Sequence, residues 1–166
     1  MKNTSMNFDS AKFGAVWQRV SQNPCAPAAA LEPCAGGEEI ELLRLIDITS
    51  QNEQLCRRTA ARCSGKISRV MQNVAASEHI HTKKLRAKYY ILTGATYCPT
   101  DTCSKTCSMS ESLLNIFRSE GQTATDFFAA ADTAKSTSLA QTYRQIARDE
   151  ERNAEMISCL IEGMLC

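Results

Sequence analysis

Residues 74–94 read VAASEHIHTKKLRAKYYILTG, and this stretch decides the fold class. Val74 and Leu85, with Ile67 and Met71 ahead of them, keep to one stripe of a helix, the period of about 3.6 residues that burial of one face imposes. Glu78 and His81 stand three apart on that stripe, so a carboxylate and an imidazole share one face and can reach one point. Gly94 closes the run, as glycine does just past a helix C-terminus. Ser64 is the expected N-cap, which gives a helix from there to about Leu92.

Outward from this helix, the pattern stays helical from Glu38 almost to the C-terminus, with no sustained strand alternation. A helix over 38–63 takes Ile40, Leu43, Leu45 or Ile46, and Leu55 as its apolar stripe. Ser108 and Glu111 have capping-box spacing and open a third helix. Ser136 or Thr137 separates it from a fourth, which runs to near the C-terminus. The expected chain is all-α: a four-helix bundle over 38–166, preceded by an arm over 1–37. In the arm, Asp9 or Ser10 caps a short N-terminal helix whose Phe13, Val16, Trp17 and Val20 form a face for docking onto the bundle. Residues 21–37 hold three of the four prolines and read as a linker.

The connections predict the topology. The first and second helices, and the third and fourth, are joined tightly enough to be antiparallel hairpins. Between the hairpins lie residues 95–107. Extended, that segment spans about 43 Å, against about 39 Å for a helix of some 26 residues. It is long enough to cross the bundle from end to end.

A shift of 72 residues superimposes the hairpins: Leu45 falls on Phe117, Leu55 on Phe127, Met71 on Tyr143, Val74 on Ile146 and Ser64 on Ser136. The match lies in hydrophobic register and punctuation more than in identity. Glu78 falls on Glu150 under the same shift, and His81 falls on Asn153. Thirty residues before Glu150, Glu120 shares a helical stripe with Ala124 and Phe127 and is expected to point inward. An inward carboxylate is costly unless it is paired, protonated or bound to a cation.

Three segments carry a family resemblance: VAASEHIHTKKLRAKYYILTG, SEGQTATDFFAAAD (119–132) and QIARDEERNAEMI (145–157). Over about residues 40–160 the chain resembles the rubrerythrins and other ferritin-like di-iron proteins. Those proteins place one glutamate and one Glu-x-x-His motif in each of two helix pairs. The resemblance implies a ferritin-like bundle of two helical hairpins with one long crossover. It implies Glu78, His81, Glu120 and Glu150 as metal ligands, with iron or another divalent metal as the cofactor. It also implies oxidoreductase chemistry of the rubrerythrin or ferroxidase type, a homodimer and an electron-donor protein as partner. Two ligand positions depart from the pattern: Ile48 stands where the 72-residue shift places the first glutamate, and Asn153 where it places the second histidine. Three carboxylates and one imidazole suit one hard or borderline divalent ion better than two. The rubredoxin-like module is absent, since no Cys-x-x-Cys occurs in the chain. The alternative is a non-enzymatic assembly bundle with a vestigial site, its carboxylates sharing protons or pairing with Lys84, Arg148 or Arg152. Trp17 and the cysteine-rich segments would then be its contact surface.

Single polar residues have plainer readings. His79 is expected to be solvated, Glu151 and Glu155 to form a charged outer face, and Tyr143 to belong to the core. The chain has nine cysteines, an odd number. Cys98, Cys103 and Cys107 lie in the crossover, Cys25 and Cys34 in the linker. These are open to three readings: thiolates on a soft metal, a disulfide, or free thiols. Cys56 and Cys159 are expected to be small core residues. Nineteen basic residues nearly balance eighteen acidic ones, which offers no field for nucleic acid or an anionic membrane. No apolar run is long enough to span a bilayer, and the first twenty residues lack a signal-peptide core. A cytoplasmic location is therefore expected, where reducing conditions favour free or metal-bound thiols over a disulfide framework.

Overall fold

The computed structural model describes residues 36–99 and 108–165. The expected arm helix, most of the linker, Cys25, Cys34, Cys103 and Cys107 lie outside the described residues. Four helices account for nearly all of the rest: α1 (Gly37–Ala61), α2 (Gly65–Thr93), α3 (Met109–Thr133) and α4 (Thr137–Leu165). Among the described residues there is no strand, and no helix is long and apolar enough to cross a membrane.

The punctuation acts where the sequence places it. Ser108 Oγ accepts the Glu111 N–H at 3.2 Å, and the Glu111 side chain accepts the Ser108 N–H at 2.9 Å, a complete capping box. Gly94 ends α2 in the left-handed region (φ 73°), its N–H on Tyr90 O at 2.8 Å. Ser64 is the N-cap of α2 by position but makes no side-chain cap bond. Gly65 beside it has φ 64°, so the first helical residue lacks the dihedrals a side-chain cap relies on. Ser68 Oγ donates to Ala60 O across this turn at 3.0 Å instead.

The core falls into two apolar clusters with a polar layer between them. One cluster gathers the first part of α1 (Leu42, Leu45), the last part of α2 (Leu85, Tyr89), the last part of α3 (Phe127) and the first part of α4 (Tyr143, Ile146). The other gathers Cys56 and Ala60, Met71 and Val74, Leu113 and Ile116, and Ile157 and Leu160. Membership fixes direction: α1 runs parallel to α4, and α2 parallel to α3. Helix α2 thus ends at the opposite end of the bundle from the start of α3, so the connection between the hairpins is the long crossover. Packing is closest within each hairpin, weaker between α1 and α3, and weakest between α2 and α4. Thr49, Asn52, Glu78, His81, Glu120, Thr123, Glu150 and Asn153 are all buried and form the polar layer.

The duplication holds with one correction. In α2 and α4 the buried residues pair at a spacing of 72: Met71 with Tyr143, Val74 with Ile146, Glu78 with Glu150, His81 with Asn153. In α1 and α3 they pair at 71: Leu42 with Leu113, Leu45 with Ile116, Thr49 with Glu120, Asn52 with Thr123, Cys56 with Phe127. One residue turns a helix position by about 100°. Ile48 and Leu55 are therefore only half-buried, while Thr49 and Cys56 are fully buried in their place. Ile40 is 59% exposed, and Leu42 takes its expected role. The missing residue lies at the first turn: Ala60 to Met71 is one position shorter than Ala131 to Tyr143.

Candidate metal centre

The polar layer is built from four helices. Glu78 and His81 come from α2, Glu120 from α3, and Glu150 and Asn153 from α4, each buried to within a few per cent. The His81 ring bridges the α2–α4 gap. Its Nδ1 stands 2.9 Å from Glu150 Oε1 and 3.9 Å from Glu78 Oε2. Its Nε2 looks outward, 3.4 Å from Ser77 Oγ and 3.6 Å from Asp149 Oδ2. On α3, Glu120 Oε2 accepts the Asn153 side-chain N–H at 3.1 Å.

These contacts leave much unsatisfied. Both oxygens of Glu78, Oε1 of Glu120 and Oε2 of Glu150 are buried and reach no donor unless one of the three carboxyls carries a proton. Among the described residues, no lysine or arginine pairs with Glu78. Arg152, one of the expected partners, pairs instead with Asp149 at 2.7 Å on the rim. Three bare carboxylates this close repel one another, so protons or a cation must hold them. Burial, followed by the charges of Glu150 and Glu120, pushes Glu78 well above the usual carboxylate range. Burial and then Glu150 do the same to Glu120, against the opposing bond from Asn153. Burial would also raise Glu150, but hydrogen bonds from His81, Glu78 and Glu120 outweigh it and pull Glu150 below its ordinary value. Without an ion, burial and mutual repulsion favour the protonated forms of Glu78 and Glu120, while the bonds to Glu150 favour its ionised form.

Donor atoms of Glu78, His81 and Glu150 all lie within 4.8 Å of one another. Two donors on one ion at about 2.0–2.2 Å stand at most about 4.4 Å apart. A few tenths of an ångström of closure therefore suffices for a shared ion, and the orphaned oxygens are the atoms it would engage. Three of the four expected ligands thus form one group. The fourth, Glu120, lies within hydrogen-bonding reach of Glu78 and Glu150 but turns its other oxygen to Asn153. The fold also places here residues that the sequence reading did not assign. Asp149 faces the outer nitrogen of His81. Thr49 is hydrogen-bonded to Thr82 at 2.9 Å, and Asn52 to Ser119 and Thr123. Cys56 is a buried thiol pushed up by burial and then by the charges of Glu120 and Glu150. Asp149 had a readable signal, since it precedes Glu150 on the turn that faces α2.

The remaining expectations divide. Tyr143 is core, and Glu151 and Glu155 are exposed. His79 is partly exposed but pairs with Glu53 at 3.1 Å rather than standing in solvent alone. Cys56 is a buried free thiol, whereas Cys159 is exposed, off the buried 150–153–157–160 stripe. Cys98 is disulfide-bonded, which removes the free-thiol and metal-thiolate readings for that residue.

No protein-family model, no curated protein and no solved structure matches the chain.

Proposed function

We propose that this chain is a rubrerythrin-like metal-binding bundle that holds one divalent transition ion, with Glu78, His81 and Glu150 as ligands and Glu120 as the adjoining fourth. The observation that carries this reading is the set of four carboxylate oxygens, buried around a single imidazole, that reach no donor outside the acid cluster itself. A buried acceptor left unsatisfied costs about 1–3 kcal/mol, more when charged, and one cation held by Glu78, His81 and Glu150 would answer those of Glu78 and Glu150. An imidazole nitrogen with carboxylate oxygens is a donor set for Fe(II), Mn(II) or Zn(II) rather than for a soft ion, and the family resemblance favours iron.

A redox-active ion here would supply one-electron chemistry. The chain's own residues bind it through α2 and α4, and the Asp149 carboxylate, 3.6 Å from the outer nitrogen of His81, favours a proton on that nitrogen and so leaves Nδ1 to act as a ligand. The apolar clusters above and below exclude water. The set supports one ion and not two, because α1 offers Thr49 instead of a carboxylate and α4 offers Asn153, already bonded to Glu120. The reading therefore assigns metal binding with one-electron iron handling, and not the two-iron reduction of peroxide.

One observation favours a second reading, an assembly bundle without metal: His81–Glu150 and Asn153–Glu120 are internal partners that serve without an ion. Against it stands Glu78, whose two oxygens reach no donor outside the acid cluster itself. Metal analysis of protein purified without added metal separates the two. The metal reading expects close to one transition ion per chain, lost in Glu78→Gln. The assembly reading expects only traces in both.

A further inference from the structure

At the end of the bundle where α1 begins and α3 turns into α4, the helices leave a cavity of about 360 Å³. Gly37, Glu38, Glu41, Thr133, Lys135 and Tyr143 line it, and its volume falls in the range of small-molecule pockets. Tyr143 is 1% exposed, and its ring is held against Phe127 with centroids 5.8 Å apart. Its hydroxyl is buried and has no hydrogen-bond partner among the described residues. A buried hydroxyl without a partner is costly, so this is a group that a ligand in the cavity would satisfy.

The charges around the cavity decide what it takes. Burial, and then the carboxylates of Glu38 and Glu41, hold the proton on the Tyr143 phenol, so the hydroxyl sits in a negative field. Arg44 takes both oxygens of Glu41, at 2.6 and 3.0 Å, and reaches on to Asp126 at 2.7 Å. Lys135 meets Glu38 through its backbone N–H, 2.9 Å from Oε1, while its side chain is exposed. Among the described residues, Glu38 is thus the lining carboxylate that no side-chain cation pairs with. A charged N–H donor can bridge Glu38 and the phenol oxygen, whereas an anion is repelled by both carboxylates.

We propose that this cavity binds a small primary alkylammonium, with its charge on the Glu38 carboxylate and one N–H donated to the Tyr143 hydroxyl oxygen. The hydroxyl is sealed from bulk solvent, so entry takes a rotamer change at the mouth, where Glu38 is half-buried and Lys135 exposed. The site is separate from the metal centre: Tyr143 precedes Glu150 by about 10 Å along α4.

The test titrates the full chain with n-butylammonium chloride at constant ionic strength and follows the Tyr143 ring and Gly37 amide signals by NMR. Both signals should shift saturably, with a midpoint on the order of 1 mM for so small a ligand. Sodium butyrate, of the same length and opposite charge, and calcium chloride should leave them in place. Glu38→Gln, which keeps an acceptor for the Lys135 N–H, should raise the midpoint about tenfold, as loss of a charged hydrogen bond does. Tyr143→Phe, read on the Gly37 amide, should raise it about fivefold and should melt no lower than wild type without ligand. The proposal is overturned if wild type shows no saturable shift with n-butylammonium, or if butyrate or calcium shifts the same signals as strongly. It is overturned equally if either variant binds with the wild-type midpoint, or if Tyr143→Phe melts well below wild type, which would mark a partner for the hydroxyl inside the protein.

Discussion

Thr49 occupies on α1 the place that Glu120 occupies on α3, fully buried, with its hydroxyl bonded to Thr82 rather than offered to an ion. On the proposed reading, Thr49 leaves the first half of the duplication one ligand short, as Asn153 does the second. Thr49→Glu with Asn153→His should therefore raise capacity from one ion per chain to two. Ile48→Glu with Asn153→His should not, because Ile48 is turned about 100° off the site. Without metal, Thr49→Glu should cost about 1–3 kcal/mol, as a buried polar group lacking a partner does. Metal should restore that stability, since a ligand for the folded state alone stabilises it. Metal titrations and melting curves on the two double variants check this.

The metal-free protein should lose stability as pH rises from about 4.5 to neutrality. Glu78 and Glu120 have folded-state pKa values raised above their ordinary ones. Their contribution is complete below the unfolded value of about 4.3 and is lost as pH climbs through the folded values. Glu150, depressed, works in the opposite sense and loses its contribution only as pH falls below the ordinary value. With two protons retained on folding, the slope reaches at most about 2.7 kcal/mol per pH unit. Glu78→Gln should remove up to half of it. Melting temperatures of chelator-treated protein across pH 5–8 measure both slopes.

Asp149→Ala should weaken metal binding by about 10–100-fold while leaving helix content unchanged. Asp149 lies 3.6 Å from His81 Nε2, close enough to become its hydrogen-bonded outer partner once Nδ1 is on an ion, and loss of such a partner typically costs that much affinity. Arg152→Ala, which removes only the rim partner of Asp149, should change affinity by less than about threefold, as exposed ion pairs contribute about 0–1 kcal/mol. Calorimetric titration of both variants tests the difference.

The helices, their order and the inward acids were legible because each rests on a local rule: the stripe through Val74, Glu78 and Leu85, the capping box at Ser108, the glycine at 94. The register of α1 was not. Both α1 and α3 place apolar residues side by side, as in Leu42-Leu43, Leu45-Ile46 and Leu113-Leu114, Ile116-Phe117. Spacings of 71 and 72 then match equally well, and only packing shows that Leu42, Leu113 and Ile116 are buried ahead of their neighbours while Leu45 and Ile46 are both buried. Asn153 was legible as the counterpart of His81 in the duplication, but its bond to Glu120 depends on how α3 and α4 face each other. The bond from Tyr97 to Asp47 and the bond from the Lys135 N–H to Glu38 join residues whose contact no local pattern encodes.

The most direct test of a single-ion site is a Co(II) titration of chelator-treated protein, followed by visible absorption, on wild type and Glu78→Gln. The account predicts saturation at one Co(II) per chain, without thiolate charge-transfer bands because the donors are nitrogen and oxygen, and loss of binding in Glu78→Gln. The same Gln variant should melt higher than wild type in the absence of metal at neutral pH, since it removes an acid whose ionisation is opposed by burial and by the charge of Glu150. Saturation at two ions, or no specific binding by wild type, would contradict the account.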